Sequence, residues 1–134
     1  MRTKLAVLVA GIALLTGTRT IMAHHSFSAE FDANKPFKMS GTVTKVEWMN
    51  PHTFFYIDVK DEKTGKVTNW AMEMGSPNGL MRAGWTRNTM KVGDQVTVEG
   101  SLAKDGSPTG NARAVTMTAN GKRLFAASSQ GNTQ

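Results

Sequence analysis

The chain has no cysteine, a single tyrosine and only three histidines. Without cysteine there is no thiol nucleophile, no thiolate metal site and no disulfide exchange. An oxidising compartment permits disulfides without requiring them, so the same absence says nothing about location. No basic stripe is present either. The charges alternate in sign, as in Lys60-Asp61-Glu62-Lys63 and Lys104-Asp105, which reads as solvated surface and not as a nucleic-acid footprint. No Ser-His-Asp spacing, nucleophile elbow, phosphate loop or paired-carboxylate motif occurs. A non-enzymatic binding domain is the expectation.

The longest apolar run, the eleven residues Leu5 to Leu15, falls short of the roughly 20 needed to span a bilayer. It follows Arg2 and Lys4 and precedes a polar stretch, Arg19 and then Ile21-Met22-Ala23. This is the layout of a cleavable secretory signal over residues 1–23, with a small residue at the cut. The expected product is periplasmic or secreted, with no stable membrane anchor after cleavage. Cleavage after Ala23 would also change the charge balance. The whole chain has 16 basic and 10 acidic side chains, a net +6; Arg2, Lys4 and Arg19 leave with the signal, so 13 basic residues face 10 acidic ones, a net +3. The 111 residues that remain of 134 suffice for one compact domain.

Residues 24–38 show no clean period and read as an extended N-terminal arm pinned by Phe27, Phe31 and Phe37. From Met39 the period is two. Met39, Gly41 and Val43 alternate, then Thr44, Val46 and Trp48 alternate in the opposite phase, which implies a bulge or bend with Gly41 available to permit it. After the Asn50-Pro51 turn, Phe55, Ile57 and Val59 line one face of a second strand, with Phe54 and Tyr56 on the other. A hairpin over Asp61 to Lys66 leads to a third strand carrying Trp70, Met72 and Met74 on one face. Ser76 then reads as a helix N-cap with Pro77 at the first helical position. Val96, Val98, Gly100 and Leu102 define a fourth strand, and Ala112 to Thr118 a fifth. Asn120-Gly121 is a hairpin turn into a last short strand ending at Phe125. The expected architecture is mainly β: a small five-stranded OB-like antiparallel barrel with one short helix, spanning residues 39–125. Residues 126–134 read as a flexible tail.

Two of the three histidines would open the mature chain. With His24 at the N-terminus, its α-amino group titrates near roughly 7.7 to 8.0 and can lose its proton at neutral pH. That amine and the His24 ring can chelate one metal, and a third nitrogen from His52 or His25 completes a T-shaped site suited to Cu(II). Glu30, Asp32 and the methionines are available to complete or vary it, Met49 being nearest to His52 in sequence. The plainer reading is a polar, flexible His24-His25 end and a His52 that bonds the turn backbone. Met72 and Met74, at strand spacing, read as core. The rival to copper is a metal-independent module that uses Trp48, Phe54 and Tyr56 as a face for a small ligand or a periplasmic protein partner. Each of those rings could equally be core packing. A single-stranded nucleic-acid groove of the kind OB barrels carry does not fit the modest charge.

The segments His24-His25-Ser26-Phe27, Gly41 to Trp48, Asn50-Pro51-His52, Trp70 to Gly79 and Leu80 to Trp85 together resemble a family of small exported bacterial proteins classed as a domain of unknown function. The resemblance covers essentially the whole mature chain. It implies a periplasmic or secreted single domain and carries no activity with it. The N-terminal histidine is similar to that of periplasmic copper-binding proteins and copper oxygenases whose mature chains begin with histidine, a similarity confined to that one residue.

Overall fold

The computed structural model describes residues 27–128. The signal segment, His24 and His25 lie outside the described residues. A helical turn at 27–30 leads into β1 (Phe31–Glu47), followed by β2 (Phe54–Lys60), β3 (Val67–Glu73), α1 (Pro77–Arg82), β4 (Gln95–Ala103), β5 (Thr109–Met117) and β6 (Arg123–Phe125). The fold is mainly β, an antiparallel sheet of six strands with two short helices where the sequence suggests one. Strand order is β3-β2-β1-β4-β5-β6, with a further parallel pairing of β3 with β5. That pairing sets Ala71, Met72 and Glu73 opposite Thr109, Gly110 and Asn111. Among the described residues, no helix is long and apolar enough to cross a membrane.

The long first strand has two partners. Its N-terminal part, Phe31 to Thr42, pairs with β4, and Thr42 to Glu47 pairs with β2. The phase slip read from the sequence is a register shift between Val43 and Lys45, leaving Thr44 as the extra residue. Val43, at the bulge, bonds instead to the turn before β4, donating to the Asp94 carbonyl and accepting from Gly93 N–H, both at 2.8 Å. Gly41 has a different task from the one expected. A β-carbon there would lie 2.5 Å from the Asp58 carbonyl oxygen, so glycine allows β1 and β2 to approach where β1 passes from one partner to the other. The strand also begins earlier than the sequence suggests. Residues 31–38, expected as an arm, belong to β1, because Phe31 pairs with Ala103 and Pro36 to Lys38 pair with Ser101 to Glu99.

Phe55, Ile57, Met72, Met74, Leu80, Val96, Val98 and Val115 are each 1% exposed or less and form the core, with Val43 and Trp85. Alternation in β4 holds through Gly100 and then breaks. A register shift between Glu99 and Gly100 leaves Arg113 of β5 unmatched, and beyond it Ser101 and Ala103 are buried while Leu102 is half-buried. Leu102, expected on the inward face, is half-buried. The extra residue is on β5, where Arg113 is exposed between the buried Ala112 and Ala114, because a bulge shifts the side chains of its own strand by one position.

Helix α1 forms as its sequence dictates. Ser76 Oγ accepts from the Gly79 N–H at 3.2 Å and Pro77 occupies the first turn, satisfying one free amide and pre-setting φ. The helix delivers Trp85, whose Nε1–H donates to the Phe125 carbonyl at 2.9 Å. That bond ties the short β6 to the helical segment. The chain just beyond β6 is packed, although residues 126–134 read as a tail in the sequence. Ala126 is fully buried and Ser128 is 8% exposed, and Gly75 N–H donates to the Ala126 carbonyl at 2.8 Å. Residues 129–134 lie outside the described residues.

Two substitutions test these contacts by equilibrium urea unfolding. Gly41→Ala should cost about 1–3 kcal/mol through overpacking against Asp58. Trp85→Phe loses the donor and part of the buried indole, and should cost about 2–4 kcal/mol.

Candidate functional site around His52

His52 stands in the connection between β1 and β2, directly after the Asn50–Pro51 peptide, which is cis. Its neighbour Thr53 is firmly held. Thr53 N–H donates to the Gly75 carbonyl at 3.0 Å and the Thr53 carbonyl accepts from Met74 N–H at 2.8 Å, extending the β2–β3 ladder past its last paired residues. This places the His52 ring beside the end of β3. Nδ1 lies 3.2 Å from the Met74 carbonyl oxygen and 3.6 Å from Glu73 Oε1. A carbonyl oxygen only accepts, so this bond requires the proton on Nδ1, and in the neutral ring the lone pair then resides on Nε2. The side chain is 39% exposed. A ring fixed through one nitrogen and partly open to solvent is the usual state of a ligating histidine.

Glu73 is the residue that sequence reasoning missed. It lies between the core methionines Met72 and Met74, so alternation turns its side chain to the other face of β3, where it is only 14% exposed. Burial pushes its carboxyl above the ordinary range; His52 pulls it down and the charge of Glu30 pushes it up. Glu30, from the turn before β1, therefore acts on the same site. The signal in the sequence was a lone carboxylate between two inward methionines. Asn111 is placed opposite Glu73 by the β3–β5 register. It is 1% exposed, and its Oδ1 has no hydrogen-bond partner. Among the described residues, no three His, Asp or Glu side chains are grouped to hold a metal ion. Of the nitrogens considered for copper, His52 is described, and His24 and His25 lie outside the described residues.

The three rings considered as a ligand face are divided. Trp48 is partly buried and packs against the core. Phe54 and Tyr56 alternate with the buried Phe55 and sit opposite Glu47 and Lys45 of β1 on the other side of the sheet. There the Tyr56 hydroxyl donates to Glu47 Oε2 at 3.1 Å, Lys45 pairs with Glu47, and the Lys45 ammonium stands 5.3 Å from the Tyr56 ring centre. Burial and the Glu47 contact raise the Tyr56 hydroxyl above its ordinary pKa. Met49 is 46% exposed, whereas Met72 and Met74 are core.

The fold and this site describe a small mainly β domain with a half-exposed histidine backed by a carboxylate. The chain belongs to the family described as a family of unknown function, DUF6152, whose model matches residues 12–113. No curated protein and no solved structure matches the chain.

Glu73 gives the site a pH signature. With its carboxyl raised above the ordinary value of 4.5, the folded state keeps this proton to higher pH than the unfolded chain. The resulting stability is complete below the ordinary value and is lost as pH rises through the raised one. Glu73→Gln cannot ionise, so its melting temperature relative to wild type should climb between about pH 4 and pH 7. A difference that stays constant over that window would contradict the assignment.

Proposed function

We propose that this is an exported, non-enzymatic binding domain of OB type whose ligand is copper. In this reading, cleavage after Ala23 frees the His24 amine, and the amine, the His24 ring and His52 Nε2 bind Cu(II), with His25 as the alternative third nitrogen. The observation that carries the reading is the His52 ring, fixed through Nδ1 by the Met74 carbonyl with Glu73 behind it. Such a carbonyl or carboxylate partner orients a ligating imidazole and raises its basicity. An amine with two imidazoles is a nitrogen donor set that favours Cu(II) by ligand type and geometry.

Two further observations support it. The charge of Glu30 adds to the upward shift of the Glu73 carboxyl, so the turn before β1 lies within electrostatic range of the His52 pair. His24 is six residues before Glu30 in the sequence, a reach of up to about 20 Å for extended chain. The OB assignment is supported by the strand pairings. β1 bonds to β2 and β4, β2 continues to β3, β4 continues to β5, and β5 returns to β3 in parallel, the connectivity of a closed five-stranded barrel with a bent first strand.

Cu(II) titration of the processed protein beginning at His24 tests the reading. A form with one extra N-terminal residue and the variant His52→Ala should each bind more weakly by on the order of tenfold or more. Equal affinity with the extra residue removes the amine from the site, and equal affinity in His52→Ala removes His52. If the processed protein takes up no copper, the metal-independent reading on the Phe54 and Tyr56 side of the sheet replaces this one.

A further inference from the structure

The core is covered at one end by α1 and the chain behind it, where Leu80 is fully buried and Trp85 is 2% exposed. At the other end, beside the β2–β3 hairpin, two breaks in the strand pairing leave an opening. Among the described residues, β1 pairs with β2 only from Thr42 and Asp58 onward, and before that point its partner is β4. β3 pairs with β5 only from Ala71 and Thr109 onward. Side chains that point inward next to these breaks line an opening where the sheet would otherwise cover them. Met39 of β1, Val59 of β2, and Thr68 and Trp70 of β3 surround a cavity of about 380 Å³, with Asp61 and Lys66 at its rim. Met39, Val59 and Trp70 pack against the core and are only partly buried. The two rim charges differ. Asp61 Oδ1 already accepts the Lys63 and Thr64 amide N–H at 2.8 and 3.0 Å, whereas among the described residues the Lys66 ammonium has no ion-pair partner.

We propose that this opening binds a small amphipathic organic acid, with the apolar body against Met39, Val59 and Trp70 and the acid group at Lys66. Concave, mainly apolar openings of about 300–1,000 Å³ with a few polar groups are the usual sites for small organic molecules. The Trp70 indole and the Met39 thioether offer polarizable surface suited to a flat ring. An ammonium without a partner selects an anionic head, and a carboxylate or sulfonate there accepts a charge-assisted hydrogen bond. The opening lies at the far end of β2 from His52, roughly 20 Å along the strand, so this site neither needs copper nor supplies a ligand to it.

The test uses the protein beginning at His24 and two fluorescent probes of similar shape, anilinonaphthalene sulfonate and its neutral parent phenylnaphthylamine. Wild type should bind the sulfonate saturably and more tightly than the neutral probe, with amide shifts concentrated at Met39, Val59, Thr68 and Trp70. Thr68→Trp fills the opening and should weaken both probes by about tenfold or more. Lys66→Met should weaken the sulfonate alone, by about two- to fivefold as for an exposed ion pair, and Lys66→Arg should restore it. The proposal is overturned by an absence of saturable binding, by shifts centred elsewhere, or by unchanged affinity in Thr68→Trp. A sulfonate affinity that Lys66→Met leaves unchanged, or that falls equally with the neutral probe, overturns it too. Should Thr68→Trp fail to fold, the wild-type shifts decide: a set centred on those four residues supports the site, and one centred elsewhere removes it. Copper uptake plays no part in any of these readouts.

Discussion

The end of β3 is gripped by backbone hydrogen bonds from three other segments, and most of the molecule's distinctive features depend on that grip. Ala71 N–H reaches the Pro108 carbonyl, Met74 N–H the Thr53 carbonyl, and Gly75 N–H the Ala126 carbonyl, at 3.0, 2.8 and 2.8 Å. Chain on either side of β3 and chain from the C-terminal end thus converge on one short stretch. A side chain at Gly75 would collide with the Ala127 carbonyl, so the convergence depends on glycine at that position. Buried backbone groups must find partners, and here the partners come from segments far apart in sequence, which locks the core methionines Met72 and Met74 in place.

The candidate site is a by-product of the same convergence. Alternation sends Met72 and Met74 inward, so the intervening Glu73 is turned to the other face, next to His52. The Met74 carbonyl, which β3 leaves pointing at the loop after β1, fixes the imidazole proton. Glu30 adds a second negative charge from the turn before β1. A histidine backed by a half-buried carboxylate, with a second carboxylate pressing on it, favours a positive partner on electrostatic grounds alone. In the copper reading proposed above, the nitrogens of a processed N-terminus would give that partner its identity.

Much of the fold was legible because it is written in local period and turn chemistry. The change of phase at Val43 and Thr44 marks the bulge in β1. Ser76-Pro77 marks the start of α1, and Asn120-Gly121 the turn before β6. The rest depends on long-range pairing. Nothing periodic in residues 31–38 announces a strand; they become one because β4 offers its backbone to them. The bulge at Arg113 interrupts the β4–β5 register, and no property of the β5 sequence alone requires it. Ala126 and Ser128 look like the start of a polar tail until Gly75 and the α1 segment are placed against them.

By itself, the sequence determined the number and order of most strands, the single short helix after β3, the core identity of Met72 and Met74, and His52 as a histidine held beside a proline turn. These are consequences of side-chain periodicity, capping and turn preference, each acting within a few residues. Tertiary structure alone decided that Trp48 packs on the core while Phe54 and Tyr56 face the other way, that Glu73 stands beside His52, and that Lys104 holds the turn before β1. Those outcomes require residues distant in the chain to be brought within a few ångströms, and strand register does that where local preference has no reach.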